Sequence, residues 1–179
     1  MTDDAAPTPS SASAPDAAFR VRDATRDDVP DLLRLVRDLA VYEKEPEAAT
    51  ATEAQFETVL FPADGHPAAY ALVAERDGRV VGMAIWFTSF STWTGRQGLW
   101  LEDLFVEPEQ RGLGIGKALL VRLAQICVER DWSRFEWWVL DWNTPSIEFY
   151  RSQGAVGQDE WTTFRVDGDA LSALAGSGG

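Results

Sequence analysis

Apolar and polar positions divide the chain into segments of two periods. Residues 19–23 alternate, as a short strand does. Val29, Leu32, Val36 and Leu39 recur at helical spacing and predict a helix over residues 26–41. Thr25-Arg26-Asp27-Asp28 ahead of it fits a capping box, with acids in the first turn. Tyr42-Glu43-Lys44-Glu45-Pro46 closes that helix, because the residue before proline resists the helical conformation. Thr52 opens a second helix that runs to Leu60. Residues 70–75 and 79–90 read as strands, and Asp77-Gly78 between them is a hairpin signal. A turn over 94–98 leads into a further apolar strand, 99–106. Leu119, Leu120, Leu123, Ile126 and Cys127 form the stripe of a helix over 117–130. Residues 135–140 are a strand. Thr144-Pro145 opens a helix that ends at Gly154. Residues 160–166 read as a final strand. The order β-α-α-β-β-β-α-β-α-β is an α/β (α+β) arrangement, a mixed sheet flanked by helices. Only the strand–helix–strand unit over 99–140 has the form of a parallel crossover.

Composition trims the ends. Residues 1–18 hold Ala, Pro, Ser, Thr and Asp with no large apolar side chain after Met1, which predicts a disordered tail. They lack the basic start and apolar run of a secretory signal. Residues 171–179, which end in Gly-Ser-Gly-Gly, read as a flexible end, leaving one domain over 19–170. Of the 179 residues, 45% are hydrophobic, enough for one proper core. No apolar run is long enough to span a membrane. A net charge of −13 argues against a nucleic-acid backbone as partner and favours the approach of a cationic one. The single cysteine, Cys127, suits a reducing cytoplasm and lies in a core stripe. With His66 the only histidine, a histidine-based metal cage is hard to build, and no metal site is expected.

The candidate chemistry starts at Arg111-Gly112-Leu113-Gly114-Ile115-Gly116-Lys117, between a strand and a helix. Alternating glycines let the backbone pass close to a bulky anion, and the helix start offers unpaired N–H groups at its positive end. A P-loop would need glycine at 111 and Ser or Thr at 118, where the chain has Arg111 and Ala118. The dinucleotide pattern would need glycine at 117, where the chain has Lys117. What remains, Gln110-Arg111-Gly112-Leu113-Gly114-Ile115-Gly116, resembles the acyl-CoA loop of the GNAT superfamily of N-acetyltransferases. Leu101-Glu102-Asp103-Leu104-Phe105-Val106, Trp142-Asn143-Thr144-Pro145-Ser146-Ile147-Glu148-Phe149-Tyr150 and Leu39-Ala40-Val41-Tyr42-Glu43 are similar to the spermidine/spermine (diamine) N-acetyltransferases within it. The likeness runs over residues 19–166.

The resemblance implies a mostly antiparallel sheet splayed at an acyl-CoA slot, acetyl-CoA as co-substrate, and direct transfer to a primary amine of a polyamine or diamine. Transfer from a thioester to an amine requires that the amine lose a proton, that the carbonyl oxygen be stabilised, and that the leaving thiolate gain a proton. A free alkylamine resembles lysine, with a pKa of about 10.4, so at neutral pH it arrives as an ammonium. By resemblance Glu102 binds the amine and relays its proton, and Tyr150, a phenol protonated at neutral pH, donates to the thiolate. Strand alternation points Glu102 and Asp103 to opposite faces. For Asp103 an internal hydrogen bond is as good a reading as a direct role. By the same resemblance the strand around Leu104, Phe105 and Val106 pairs its backbone with the pantetheine arm. Arg111, Gly112, Leu113, Gly114, Ile115, Gly116 and Lys117 hold the pyrophosphate, and Asn143, Thr144, Pro145 and Ser146 line the arm, although Asn143 also suits a helix start. Tyr42, Glu43, Asp103, Glu136, Trp137, Trp138 and either Asp159 or Glu160 stand at family substrate positions. Relatives of this kind imply a homodimer. A different acceptor (a thialysine-type amino acid, an aminoglycoside or a protein N-terminus) and an acyl-CoA sensor without turnover are the alternatives.

Overall fold

The structure, a computed structural model, describes residues 19–178. The N-terminal tail expected over 1–18 lies outside them. The chain divides into two compact units, one ending at Trp138 and the other running from Val139, inside the span expected as one domain.

The first unit carries the sheet. Its order is β1 (Arg20–Asp23), α1 (Val29–Tyr42), α2 (Glu53–Leu60), β2 (Tyr70–Arg76), β3 (Arg79–Ser91), β4 (Arg96–Val106), α3 (Ile115–Glu129) and β5 (Phe135–Trp137). The five strands lie in sequence order, with antiparallel pairs except for the parallel β4–β5 pair. Asp77 and Gly78 both have positive φ, 52° and 74°, as the tight β2–β3 turn requires. One layer of core joins Leu32 and Leu35 of α1 and Leu60 of α2 to Val73, Met83, Ile85 and Phe105 on one face of the sheet. Leu119, Leu123, Ile126 and Cys127 of α3 are buried in the same unit.

The capping box ahead of α1 forms, with the Asp28 carboxylate accepting from the Thr25 backbone N–H at 2.7 Å. A single 3₁₀ turn over Arg26–Asp28 precedes the α-helix, which therefore begins three residues later than the periodicity predicts. Arg22 donates two hydrogen bonds to Asp28, at 2.6 and 2.8 Å, and this pairing pushes the Asp28 carboxyl down to about 2. A carboxyl whose folded pKa is depressed stabilises above its unfolded pKa, and that gain is lost as pH falls through the folded value. Asp28→Asn is expected to cost about 2 kcal/mol at pH 7. The gap between variant and wild type should narrow as pH falls from about 4 to about 2, read by denaturant titration.

β5 is shorter than its predicted span of 135–140. It pairs with β4 only at Leu99↔Phe135, Trp100↔Glu136 and Leu101↔Trp137. Among the described residues β5 ends at Trp137 and does not pair with positions 102–106 of β4.

The second unit holds α4 (Thr144–Ser152) and α5 (Gly168–Gly176). Gly154, at φ 91°, follows the end of α4 as expected. Two expectations fail here. Residues 160–166 do not form a strand, and Trp161 and Phe164 are exposed. Alternation of this kind fits a pleated surface but makes a strand only where a partner strand supplies the hydrogen bonds. Most of α5 falls in the end expected as flexible, 171–179, where Ala and Leu are strong helix formers and Leu171 and Leu174 recur at i, i+3.

Candidate active site

A bulge in β4 shapes the site. Ile85 pairs with Asp103 and the next residue, Trp86, pairs with Leu101, so Glu102 is the extra residue of its strand. Along β3, Met83, Ile85 and Phe87 share one face by simple alternation. Their partners are Phe105, Asp103 and Trp100, so the bulge brings Asp103 and Trp100 to one face although they are three residues apart. The sequence expectation that Glu102 and Asp103 point to opposite faces assumed unbroken alternation and is corrected here. Glu102 is exposed, and its Oε2 accepts a hydrogen bond of 3.1 Å from the Trp100 indole.

Asp103 is partly buried on the face that packs against α1. Its carboxyl is pushed up to about 6, first by burial, then by the negative charges of Glu102 and Glu43. Burial also pushes the Glu43 carboxyl up. Glu43 is the C-cap of α1, where the helix dipole disfavours a carboxylate. The charges of two further carboxyls, one from the end of α1 and one from β4, thus act on Asp103 and disfavour its ionised form.

The glycine loop has the expected geometry. Gly112 and Gly114 have φ of 80° and 83°, a conformation that side chains resist. A Cβ at either position would meet nothing within 4 Å, so the backbone there is open to approach. Gly114 is the N-cap of α3 and supplies no side-chain cap, which leaves the first N–H groups of the helix available to an anion. Lys117 is exposed in that first turn. These features fit a pyrophosphate. Arg111 reaches back from the loop. Its Nε donates to the Val106 carbonyl at 3.1 Å, and its guanidinium lies 4.8 Å from the Tyr42 ring and 5.7 Å from Phe105. Tyr42, expected at substrate, is therefore the platform for an arginine of the glycine loop.

The aromatic acceptor residues are partly gathered. Trp138, 61% exposed, stands edge-on to Trp100 at 4.9 Å, and Phe87 lies 6.3 Å from Trp100. Trp137 packs against Phe135 at 4.8 Å. Glu136 is held in an ion pair by Arg134 at 2.6 Å, the ordinary fate of a surface carboxylate. The sequence reading missed Trp100. Its signal was an indole two residues before an acid in the same strand.

In the second unit, Asn143 is buried and accepts from the Ser146 N–H at 3.4 Å, so it does start α4. Thr144 and Pro145 are exposed in its first turn. Tyr150 is partly buried near the end of α4, with its ring 5.3 Å from that of Phe149. Asp159 and Glu160 are exposed in a turn and do not precede a strand. No cluster of three or more metal-ligating side chains occurs among the described residues, and none of their helices is long and apolar enough to cross a membrane.

Comparison with known proteins agrees with this geometry. The model of the acetyltransferase (GNAT) family matches residues 31–155. A thialysine N-epsilon-acetyltransferase of Sus scrofa is 34% identical over 174 residues, covering 89% of this chain and 99% of that protein. A spermidine/spermine N(1)-acetyltransferase-like protein of Homo sapiens is 33% identical, over 88% of this chain and 24% of that longer protein. Among solved structures, an integron cassette protein from the mobile metagenome of V. cholerae superposes with a TM-score of 0.74 at 25% identity, covering 89% of this chain and 98% of that one.

Proposed function

The chain belongs to the GNAT family of acetyltransferases, and from that premise we propose that it transfers an acetyl group from acetyl-CoA to a primary amine of a small polyamine or diamine, by direct attack in a ternary complex. The observation that carries the acceptor class is the trio Glu43, Glu102 and Asp103. The charges of Glu43 and Glu102 oppose ionisation of Asp103, and a dicationic alkylamine relieves that opposition as it binds.

In this reading the glycine loop and the first turn of α3 hold the pyrophosphate, and the open edge of β4 at 104–106 takes the pantetheine arm. Asn143, Thr144, Pro145 and Ser146 are assigned to the arm by resemblance. Glu102 and Asp103 draw in the ammonium and accept its proton, and the free amine then attacks the thioester carbonyl. The tetrahedral oxyanion is stabilised by a backbone N–H of the splayed strand. It collapses to the amide and expels the CoA thiolate, which takes the phenolic proton of Tyr150, while the second proton of the attacking nitrogen leaves to solvent, from which the phenolate is reprotonated. Tyr42, Trp137, Trp138, Glu136 and one of Asp159 and Glu160 complete the proposed acceptor contacts. A homodimer is proposed as well. The exposed Trp161 and Phe164 are apolar surface that a second copy would cover. Sedimentation velocity tests this, with a monomer at micromolar concentration as the contrary result.

A thialysine-type amino acid is the second reading, favoured by the name of the Sus scrofa relative. Thiol release from acetyl-CoA with diamines, polyamines, thialysine, ornithine and an aminoglycoside decides between them. The polyamine reading expects kcat/KM for putrescine or spermidine to exceed that for thialysine by about tenfold, from removal of an acceptor carboxylate that the acid trio repels. The reverse order selects the amino acid. Silence with every amine while CoA still binds selects a sensor.

A further inference from the structure

We propose that Trp100 is a positioning residue: its indole N–H holds the Glu102 carboxylate in the orientation that receives the acceptor amine. This rests on the amine-acetylation reading of the same site. Glu102 is the extra residue of the β4 bulge, with no paired residue opposite it in β3, and it is exposed. An exposed glutamate has several rotors and loses that freedom only where something binds its carboxylate. Here the Trp100 indole binds it, at 3.1 Å. Residues two apart in a strand already share a face, and the bulge at Glu102 brings Asp103 to the Trp100 face as well.

Trp100 is itself held on two sides. The edge-on Trp138 ring lies 4.9 Å away at 84°, and Phe87 is 6.3 Å away on the neighbouring strand. Aromatic pairs at these separations are favourable beyond their burial. An indole is also a donor only, so it cannot satisfy itself at the expense of the carboxylate by turning into an acceptor. Glu102 keeps one oxygen on Trp100 and presents the other to solvent and to an incoming ammonium. Bound in this way, the carboxylate stays beside Asp103, whose pKa already registers its charge.

The test is a double-mutant cycle on the purified full chain, using the best acceptor of the amine panel. Trp100→Phe keeps an aromatic ring and removes the N–H. It is expected to lower kcat/KM for the amine about tenfold, the loss of a hydrogen bond to a charged group, while KM for acetyl-CoA stays within about twofold. In the Glu102→Ala background the same change is expected to have no effect on the amine, because the group it orients is gone. Trp138→Leu leaves the N–H but frees the indole, and should show a smaller loss that also vanishes with Glu102→Ala. The indole N–H resonance that Trp100→Phe deletes should move upfield in Glu102→Ala, which reads the bond without activity. An active wild type with an unchanged Trp100→Phe, or with equal losses in both backgrounds, overturns this assignment alone. If Trp100→Phe does not fold, the Trp138→Leu cycle and the indole resonance decide in the same sense. A wild type that acetylates no amine overturns the functional reading and this one with it.

Discussion

Asp103→Asn is expected to yield a protein that is more stable than the wild type and far less active. The sign follows from the raised carboxyl. Asp103 titrates at about 6 in the folded chain, against about 4 in an unfolded one. Below pH 4 both states are protonated and the residue costs nothing. Between about 4 and 6 the unfolded chain loses its proton first, so stability falls as pH rises, and above about 6 the full penalty is present. A gap of about two pH units between folded and unfolded chains corresponds to about 3 kcal/mol, and asparagine removes most of that at pH 7 because it carries no charge into the desolvated site. The gain should disappear at pH 4, which separates it from a packing effect. Activity should move the other way. If Asp103 helps to accept the ammonium proton, kcat/KM for the amine rises with pH through about 6 in the wild type. Asp103→Asn should lose that limb and about 100-fold in kcat/KM. Denaturant titrations at pH 4 and 7 and a pH–rate profile check both halves. A variant no more stable than wild type at pH 7 contradicts the raised carboxyl, and retained activity with the same acid limb contradicts the role.

Tyr150→Phe is expected to reduce kcat by about 100-fold or more with little change in acetyl-CoA affinity. The change removes one oxygen and leaves the ring beside Phe149, so α4 loses no apolar surface. A thiolate expelled without a proton donor makes a worse leaving group, and the cost falls on the transition state alone. The signature is therefore a kcat loss at unchanged dissociation constant for acetyl-CoA, measured by calorimetry. A parallel loss of binding would make Tyr150 a structural residue of α4, and unchanged turnover would remove it from the chemistry.

Much of the first unit follows from local rules. Thr25, Thr52 and Asp77-Gly78 mark starts and turns through their own hydrogen bonds or φ preferences, and the structure has each where the pattern puts it. The glycine loop is legible for the same reason, since positive φ at Gly112 and Gly114 is a property of those residues themselves. The acid pair Glu102-Asp103 is visible as charge inside an apolar strand. Its geometry is not, because a bulge depends on how two strands align and leaves no mark in the alternation of one of them. Likewise the Arg111–Tyr42 contact and the field of Glu43 on Asp103 join residues some sixty to seventy positions apart. The segment 160–166 shows the opposite error, a local strand preference with no partner to realise it.

The amino-acid sequence by itself determined a strand, a glycine loop and a helix N-terminus of the kind that suits a pyrophosphate, which need only neighbouring residues and backbone torsions. Only the tertiary structure decided the arrangement of the acid cluster. Which carboxyls act on Asp103, how far its pKa rises, and which indole bonds Glu102 are set by strand register and by burial, and both arise when distant segments pack.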